Sequence, residues 1–278
     1  MRFGGPIFQE YDCPEAWVEA VKAKGYQAAY SPLSIEEHPG ALIQSYAKAA
    51  QKADIVIAEV GTWCNPLSPD DEIRKAAIER CKMGLWLADE LGARCCVNIA
   101  GSLGERWDGP CALDMTDEAY AMIIDSVREI LDAVNPKRTF YTLEGMPWMY
   151  PDTPECYLRM MKDIDREGFA AHLDPVNWIN SPEKYFKNAE LLQRSFDLLG
   201  DAIRSIHVKD LLLKPELTVV MPEVRLGLGG LDYPTFLRLA NQLHADTPFM
   251  LEHLPAEEDY DQAAETLRSI AKQEGIAL

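Results

Sequence analysis

The segment Phe169-Ala-Ala-His172-Leu-Asp174-Pro175, followed by Ile203-Arg-Ser-Ile-His207-Val-Lys209, decides how this chain folds. Each is a short, largely apolar run whose far end carries side chains able to bind a metal or move a proton, and each leads into a longer helical pattern. Two similar runs flank them, Phe140-Tyr-Thr-Leu-Glu144 before and Phe249-Met-Leu-Glu252 after. Toward the N-terminus the pattern recurs at Phe3-Gly-Gly-Pro-Ile-Phe8, Gln27-Ala-Ala-Tyr30, Asp54-Ile-Val-Ile-Ala-Glu-Val60 and Cys95-Cys-Val-Asn-Ile-Ala100, which makes eight strand–helix pairs. Such alternation implies a parallel sheet, and eight repeats favour closure into a (β/α)8 barrel over an open sheet. A chain of 278 residues with 47% hydrophobic content fits one such barrel, so residues 1–278 read as a single α/β domain.

The helix signals agree with this alternation. After the third strand, Ser68 reads as an N-cap and Pro69 as the first helical residue, with Asp70, Asp71 and Glu72 against the positive end of the dipole. Ile73, Ala77, Cys81, Gly84, Ala88 and Leu91 recur at three- and four-residue steps and predict the face turned to the sheet. Gly92 supplies a left-handed stop, and Gly25 and Gly168 read as similar stops.

Composition narrows the partners. A formal charge of −18 leaves no basic face for a phosphate backbone or an anionic membrane. Met1-Arg-Phe-Gly-Gly-Pro6 lacks the apolar stretch of a signal peptide, and no run of about 18 apolar residues is present to span a bilayer. The seven cysteines are odd in number and form no Cys-x-x-Cys pair, which argues for reduced, buried thiols and a cytoplasmic protein.

In a barrel of this kind the strand ends gather at one mouth, so Glu144, Asp174, His207 and Glu252 come together as candidate ligands of one divalent cation. Residues two apart in a strand share a face, so Thr142 accompanies Glu144, His172 accompanies Asp174 and Lys209 accompanies His207 toward the interior. A shift of one residue would turn every one of them outward. Each also has an ordinary reading. Glu144 before Gly145 could end a strand in solvent, Asp174 before Pro175 could be a turn residue, His207 could be a satisfied core histidine, and Glu252 could pair with His253 or a nearby lysine. Three carboxylates and one imidazole suit Mn²⁺ first, then Mg²⁺, with Co²⁺ or Zn²⁺ tolerated.

Two connections exceed what closure of the barrel requires, roughly 101–116 and 211–232, and long loops on this face usually shape a site. The first carries Glu105 and Trp107, the second Arg225 and the turn Gly227-Leu-Gly-Gly230, and both count as candidate substrate contacts. Lys209 reads either as a donor to a substrate oxygen or as an ion-pair partner of Asp210. The glycine turn reads as an anion site or simply as the approach to the N-cap Asp232. Trp63, Trp107, Trp148 and Trp178 read as an apolar wall for a sugar ring or as loop packing.

The ordered set Leu143-Glu144-Gly145, His172-Leu-Asp174-Pro175, Ile206-His207-Val-Lys209-Asp210, Gly227-Leu-Gly-Gly-Leu-Asp232-Tyr233 and Leu251-Glu252 resembles the xylose-isomerase-like barrel superfamily of sugar isomerases and epimerases, which also holds the endonuclease IV type enzymes. The resemblance covers nearly the whole chain. It implies that Glu144, Asp174, His207 and Glu252 hold the cation, and that Glu144 and Glu252 act as the acid and base of an isomerase or epimerase. The substrate implied is a small sugar, ketose or related carbohydrate, reacting through a metal-stabilised enediolate. It also implies a homo-oligomer.

Two departures bear on the branch. Many members carry a histidine three residues after the strand-six aspartate, where this chain has Asn177, which bonds hydrogen but carries no proton near neutral pH. With His172 as a partial substitute, this leaves open a metal-dependent lyase or dehydratase, or an enzyme that cleaves carbon glycosides. A non-catalytic sugar-binding subunit also stays open. The three-zinc cluster of the endonuclease branch needs further histidines, whereas this chain has only His38, His172, His207, His244 and His253, with Glu59 and Asn98 in strands three and four.

Overall fold

The computed structural model describes residues 1–36 and 38–278. Nine parallel strand segments form the wall: β1 Arg2–Gly5, β2 Ala28–Ala29, β3 Val56–Ile57, β4 Glu59–Gly61, β5 Cys95–Asn98, β6 Tyr141–Leu143, β7 Phe169–Leu173, β8 Ile203–Val208 and, after an antiparallel hairpin of β9 Asp210–Leu211 and β10 Glu223–Val224, β11 Pro248–Leu251. The sheet runs β3-β2-β1-β11-β8-β7-β6-β5-β4. Its two ends belong to one strand interrupted at Ala58. The Ala58 amide donates to Ala29 O (2.8 Å) on one side, and its carbonyl accepts from Cys95 N (3.3 Å) on the other. Joining β3 to β4 turns nine segments into eight staves, and the fold is the TIM barrel expected from the eight repeats.

Helices follow the staves on the outside: α1 Pro14–Ala23, α2 Gly40–Ala53, α3 Asp71–Leu91, α4 Asp117–Val134, α5 Pro154–Ile164, α6 Pro182–Phe186 with α7 Asn188–Leu199, α8 Tyr233–Ala240 and α9 Glu257–Gln273. The start of α3 differs from expectation. Asp70 is the N-cap, its carboxylate accepting from Glu72 N and Ile73 N, while Ser68 Oγ accepts from Asp70 N just before it. A single carboxylate oxygen, Oδ1, reaches two of the first free amides, which places the cap at Asp70 rather than Ser68. Ala77, Cys81, Gly84, Ala88 and Leu91 face the sheet as expected, but Ile73 in the first turn is 55% exposed. Gly92 takes the left-handed stop at φ 71°. Gly168 does not; Asp165, at φ 49°, ends α5 in its place. All seven cysteines are free, and no described helix is long and apolar enough to cross a membrane.

Most of the apolar core lies between staves and helices, where Leu143, Ala171, Leu173, Ile206 and Val208 are buried. A second, small cluster of Ala28, Ala58 and Met250 fills the barrel interior. Gly4 makes room for it, since a Cβ there would sit 2.1 Å from Ala28 O and 2.8 Å from Met250 Sδ. Met250 pairs with His207 across β11 and β8, so His207 points inward above this apolar floor.

One irregularity decides that orientation. Ala171 pairs with Ile203, yet His172 pairs with Ser205, so β8 carries an extra residue at Arg204. Without that bulge His172 would pair with Arg204, and Ser205 and His207 would face the helices. With it, Ser205 and His207 join His172 inside.

Candidate metal centre

Glu144 and Asp174 each stand one residue past a strand, Glu252 stands one past β11, and His207 lies within β8. The barrel brings all four together, with a ligand atom from each within 4.8 Å of the others. His207 Nδ1 is 2.9 Å from Glu252 Oε2 and 3.5 Å from Glu144 Oε1. Lys209 Nζ lies among the three carboxylates, 2.7 Å from Asp174 Oδ2, 2.6 Å from Glu252 Oε1 and 3.5 Å from Glu144 Oε1. Even so, Asp174 Oδ2, Glu252 Oε1 and His207 Nδ1 are buried without a properly directed hydrogen bond. The ammonium offsets part of the negative charge but lies off the bonding directions of the two oxygens.

The electrostatics follow from packing several charges into a buried cluster. Burial alone would raise the Glu144 carboxyl, but Lys209 and then His207 hold it well below the ordinary carboxylate range. Glu252 is likewise lowered, by His207 and Lys209 against burial. Asp174 goes the other way. Burial pushes it up to about 8, with Lys209 opposing and the Glu144 and Glu252 carboxylates adding to the rise. Burial opposes the charge on Lys209 and on His207, yet the surrounding carboxylates raise both well above their ordinary values. This is a set of anions seeking positive charge, and a cation would invert the balance by releasing protons from Asp174 and His207.

Beneath the cluster lies a residue whose role the strand pattern did not reveal. Glu59, at the start of β4, is buried and uses both oxygens: Oε1 accepts from His207 Nε2 (2.9 Å), Oε2 from His172 Nε2 (3.1 Å) and Ser205 Oγ (2.9 Å). A deprotonated carboxylate only accepts, so it fixes the proton on Nε2 of His207 and leaves Nδ1 facing the cluster. The two histidines contact it and each other, with ring centres 4.1 Å apart and planes at 76°. An acidic residue inside the apolar run Ile55-Val-Ile-Ala-Glu59-Val60 was the available signal.

The expected substrate contacts separate into two groups. Asn177, Lys209, Trp107 and Trp148 line a cavity of about 840 Å³ at the mouth, together with Trp63 and Glu144. Asn177 Nδ2 donates to Glu144 Oε1 (2.9 Å) and Gly145 O (3.0 Å), and Trp148 Nε1 donates to Asp108 O (3.2 Å). His172, Glu105 and Arg225 line no part of this cavity. His172 is fully buried on Glu59, one layer too deep to meet a substrate or to stand in for a histidine at position 177. Glu105 points to solvent, and Arg225 lies 3.9 Å from Asp259 at the first turn of α9. Trp178 belongs to the core, its Nε1 donating to Pro151 O (3.0 Å).

The glycine turn binds an anion, but an internal one. Asp210 accepts from the amides of Leu211 (2.9 Å), Gly227 (3.0 Å), Gly229 (3.1 Å) and Leu231 (3.1 Å). A Cβ on Gly229 would meet Asp210 Oδ1 at 2.1 Å, so only glycine permits this wrapping. Asp210 is therefore turned away from Lys209 and anchors the second long loop. Part of that loop is the β9–β10 hairpin, extended by a bridge between Lys214 and Val220, which the strand pattern did not predict. Asp210→Ala strands these amides and is expected to cost about 1–3 kcal/mol. In thermal unfolding that is a drop of roughly 2–4 °C per kcal/mol; an unchanged melting temperature would show that the loop does not depend on this carboxylate.

A barrel with a ring of acid and imidazole groups at the C-terminal ends of its staves defines the class: a TIM barrel built to hold a charged centre at its mouth. The chain belongs to the xylose isomerase-like TIM barrel family, whose model matches residues 17–270. No curated protein matches it by sequence. Among solved structures it is similar in fold to D-psicose 3-epimerase from Clostridium cellulolyticum, solved with D-tagatose (14% identity, all of both chains covered, TM-score 0.68). It is also similar to endonuclease IV from Thermus thermophilus (14% identity, 98% of this chain and 100% of that one, TM-score 0.73). A third is the probable 3-DHS dehydratase AsbF from Bacillus anthracis (15% identity, 97% and 98% covered, TM-score 0.68). One fold thus serves proteins with three different names and chemistries, and only the site can discriminate among them.

Proposed function

We propose that this protein is a divalent-cation-dependent enzyme, an isomerase or epimerase that moves a proton beside the carbonyl of a small sugar, ketose or related carbohydrate. The observation that carries this reading is the convergence of Glu144, Asp174, His207 and Glu252 within 4.8 Å, with three of their buried atoms lacking directed hydrogen bonds. These four residues would hold the ion, and Mn²⁺ is the first choice for three carboxylates and one imidazole. Bound there, the ion supplies a Lewis acid for a carbonyl oxygen.

The residues around it divide the remaining work. Glu144 borders the larger cavity and Glu252 a second one of about 440 Å³, so the two carboxylates reach the mouth from different sides. That placement suits one as base and the other as acid. Asn177 orients Glu144, and Lys209 supplies a donor to a substrate oxygen. Glu59 positions His207 through Nε2. Glu59→Gln is expected to weaken Mn²⁺ binding by about 10–100-fold in calorimetry, and an unaltered affinity would remove Glu59 from this role.

The test of the reaction is solvent-deuterium incorporation into a panel of ketoses with the Mn²⁺-loaded protein. Exchange at the carbon next to the carbonyl, abolished by a chelator, is the expected result. Binding of sugars without exchange would favour a sugar-binding subunit instead. A dehydratase or lyase shares the first proton loss, and Asn177, which carries no proton, is the observation that favours it; its mark is an unsaturated or cleaved product. The charge of −18 weighs against a nucleic-acid substrate.

A further inference from the structure

The mouth is larger and more apolar than a lone sugar requires. Its main cavity, about 840 Å³, lies toward the upper end of small-molecule sites, which span roughly 300–1,000 Å³. Trp63, Trp107, Trp148, Met146, Ile179 and Met221 contribute its apolar walls, whereas Glu144, Asn177, Asn180, Lys209, Glu223 and His253 supply polar groups. Arg106 and Asp108, which also line it, are paired with each other at 2.7 Å. A sugar can stack one face on an indole and bond to those polar groups, but the part of the wall made of three indoles and two methionines offers further hydroxyls few partners. A flat apolar group meets no such penalty.

The backbone points to the same place. Among the described residues, five other than glycine have positive φ: Asp54, Asn135, Asp165, Trp63 and His253. The first three cap α2, α4 and α5, where Asp and Asn enter this region readily. Trp63, at φ 32°, and His253, at φ 55°, cap no helix. Such backbone costs roughly 1–3 kcal/mol and gathers at ligand sites. Both residues line the main cavity and also the smaller one that reaches Glu59 and Glu252, so they stand where the two lobes of the cleft meet. Trp63 is held there with 42% of its surface exposed, and Trp148 across the cavity keeps 37%.

We propose that the substrate has two parts: a sugar-like hydroxy-carbonyl part that reacts at the four-residue cluster, and an aryl or comparably flat apolar substituent held by Trp63, Trp107 and Trp148 in the larger lobe. This rests on the cluster being the reactive centre. The test compares phenyl β-D-glucopyranoside with methyl β-D-glucopyranoside and D-fructose, titrated into Mn²⁺-loaded protein by calorimetry. The phenyl glycoside is expected to bind on the order of tenfold or more tighter than the methyl glycoside. That ratio should fall toward one in the Trp107→Ala/Trp148→Ala double variant, with Mn²⁺ affinity unchanged. Equal affinities for the two glycosides, or a phenyl preference that survives in the double variant, overturn the proposal. If Mn²⁺ fails to bind, or binds equally well to Glu144→Ala, the metal reading falls instead, and the phenyl-to-methyl ratio still reports on the aromatic lobe by itself.

Discussion

Glu252→Gln is expected to lower turnover by about 10²–10⁴-fold at saturating Mn²⁺. Glutamine keeps the size of the side chain and one oxygen able to face a cation, but it cannot accept and return a proton. Glu252 stands 2.9 Å from His207 Nδ1 and 2.6 Å from Lys209 Nζ, so the amide disturbs the charge balance without emptying the space. Some loss of metal affinity is expected as well, which is why turnover and Mn²⁺ binding must be measured on the same sample. The substrate for the assay is the best ketose from the deuterium-exchange screen. Full turnover in a variant that still binds Mn²⁺ would remove Glu252 from proton transfer and leave Glu144 to be tested the same way.

Lys209→Met is expected to destabilise the metal-free protein by about 3–5 kcal/mol, the usual cost of removing one member of a buried charge set. The lysine is 4% exposed and stands between Asp174, Glu144 and Glu252, so its loss leaves mutually repelling carboxylates in a buried cluster. Because the same carboxylates are the proposed cation ligands, Mn²⁺ should restore most of the lost stability, and it should bind the variant more tightly than the parent protein. Urea unfolding with EDTA and with Mn²⁺ separates these effects. An equal loss under both conditions would mean that lysine and cation do not share the carboxylates.

The strand pattern carried much of the candidate site. A period of two is local, so Glu144, Asp174 and Glu252 were legible as inward groups at strand ends. Eight repeats were legible as a barrel because each apolar strand needs a helix to cover it. The tryptophans were legible as candidates too, though not which three of four face the mouth. The role of Glu59 was not legible because one carboxylate in an apolar run has no meaning until two histidines from distant staves arrive on it. The places of Arg225 and His172 off the main cavity were not legible for a related reason: sequence supplies the direction of a side chain but not its depth, nor a competing partner such as Asp259 or Glu59.

His207 marks the boundary between the two kinds of information. Its residue type and its place in an apolar run, written in the chain, made it a candidate ligand. Its inward direction depends on one extra residue in β8 opposite β7, and pairing between strands is a property of neighbours roughly thirty residues apart. Local alternation therefore made the inward groups of the regular strands legible, and only the paired sheet, through the bulge in β8, decided the face that Ser205 and His207 take.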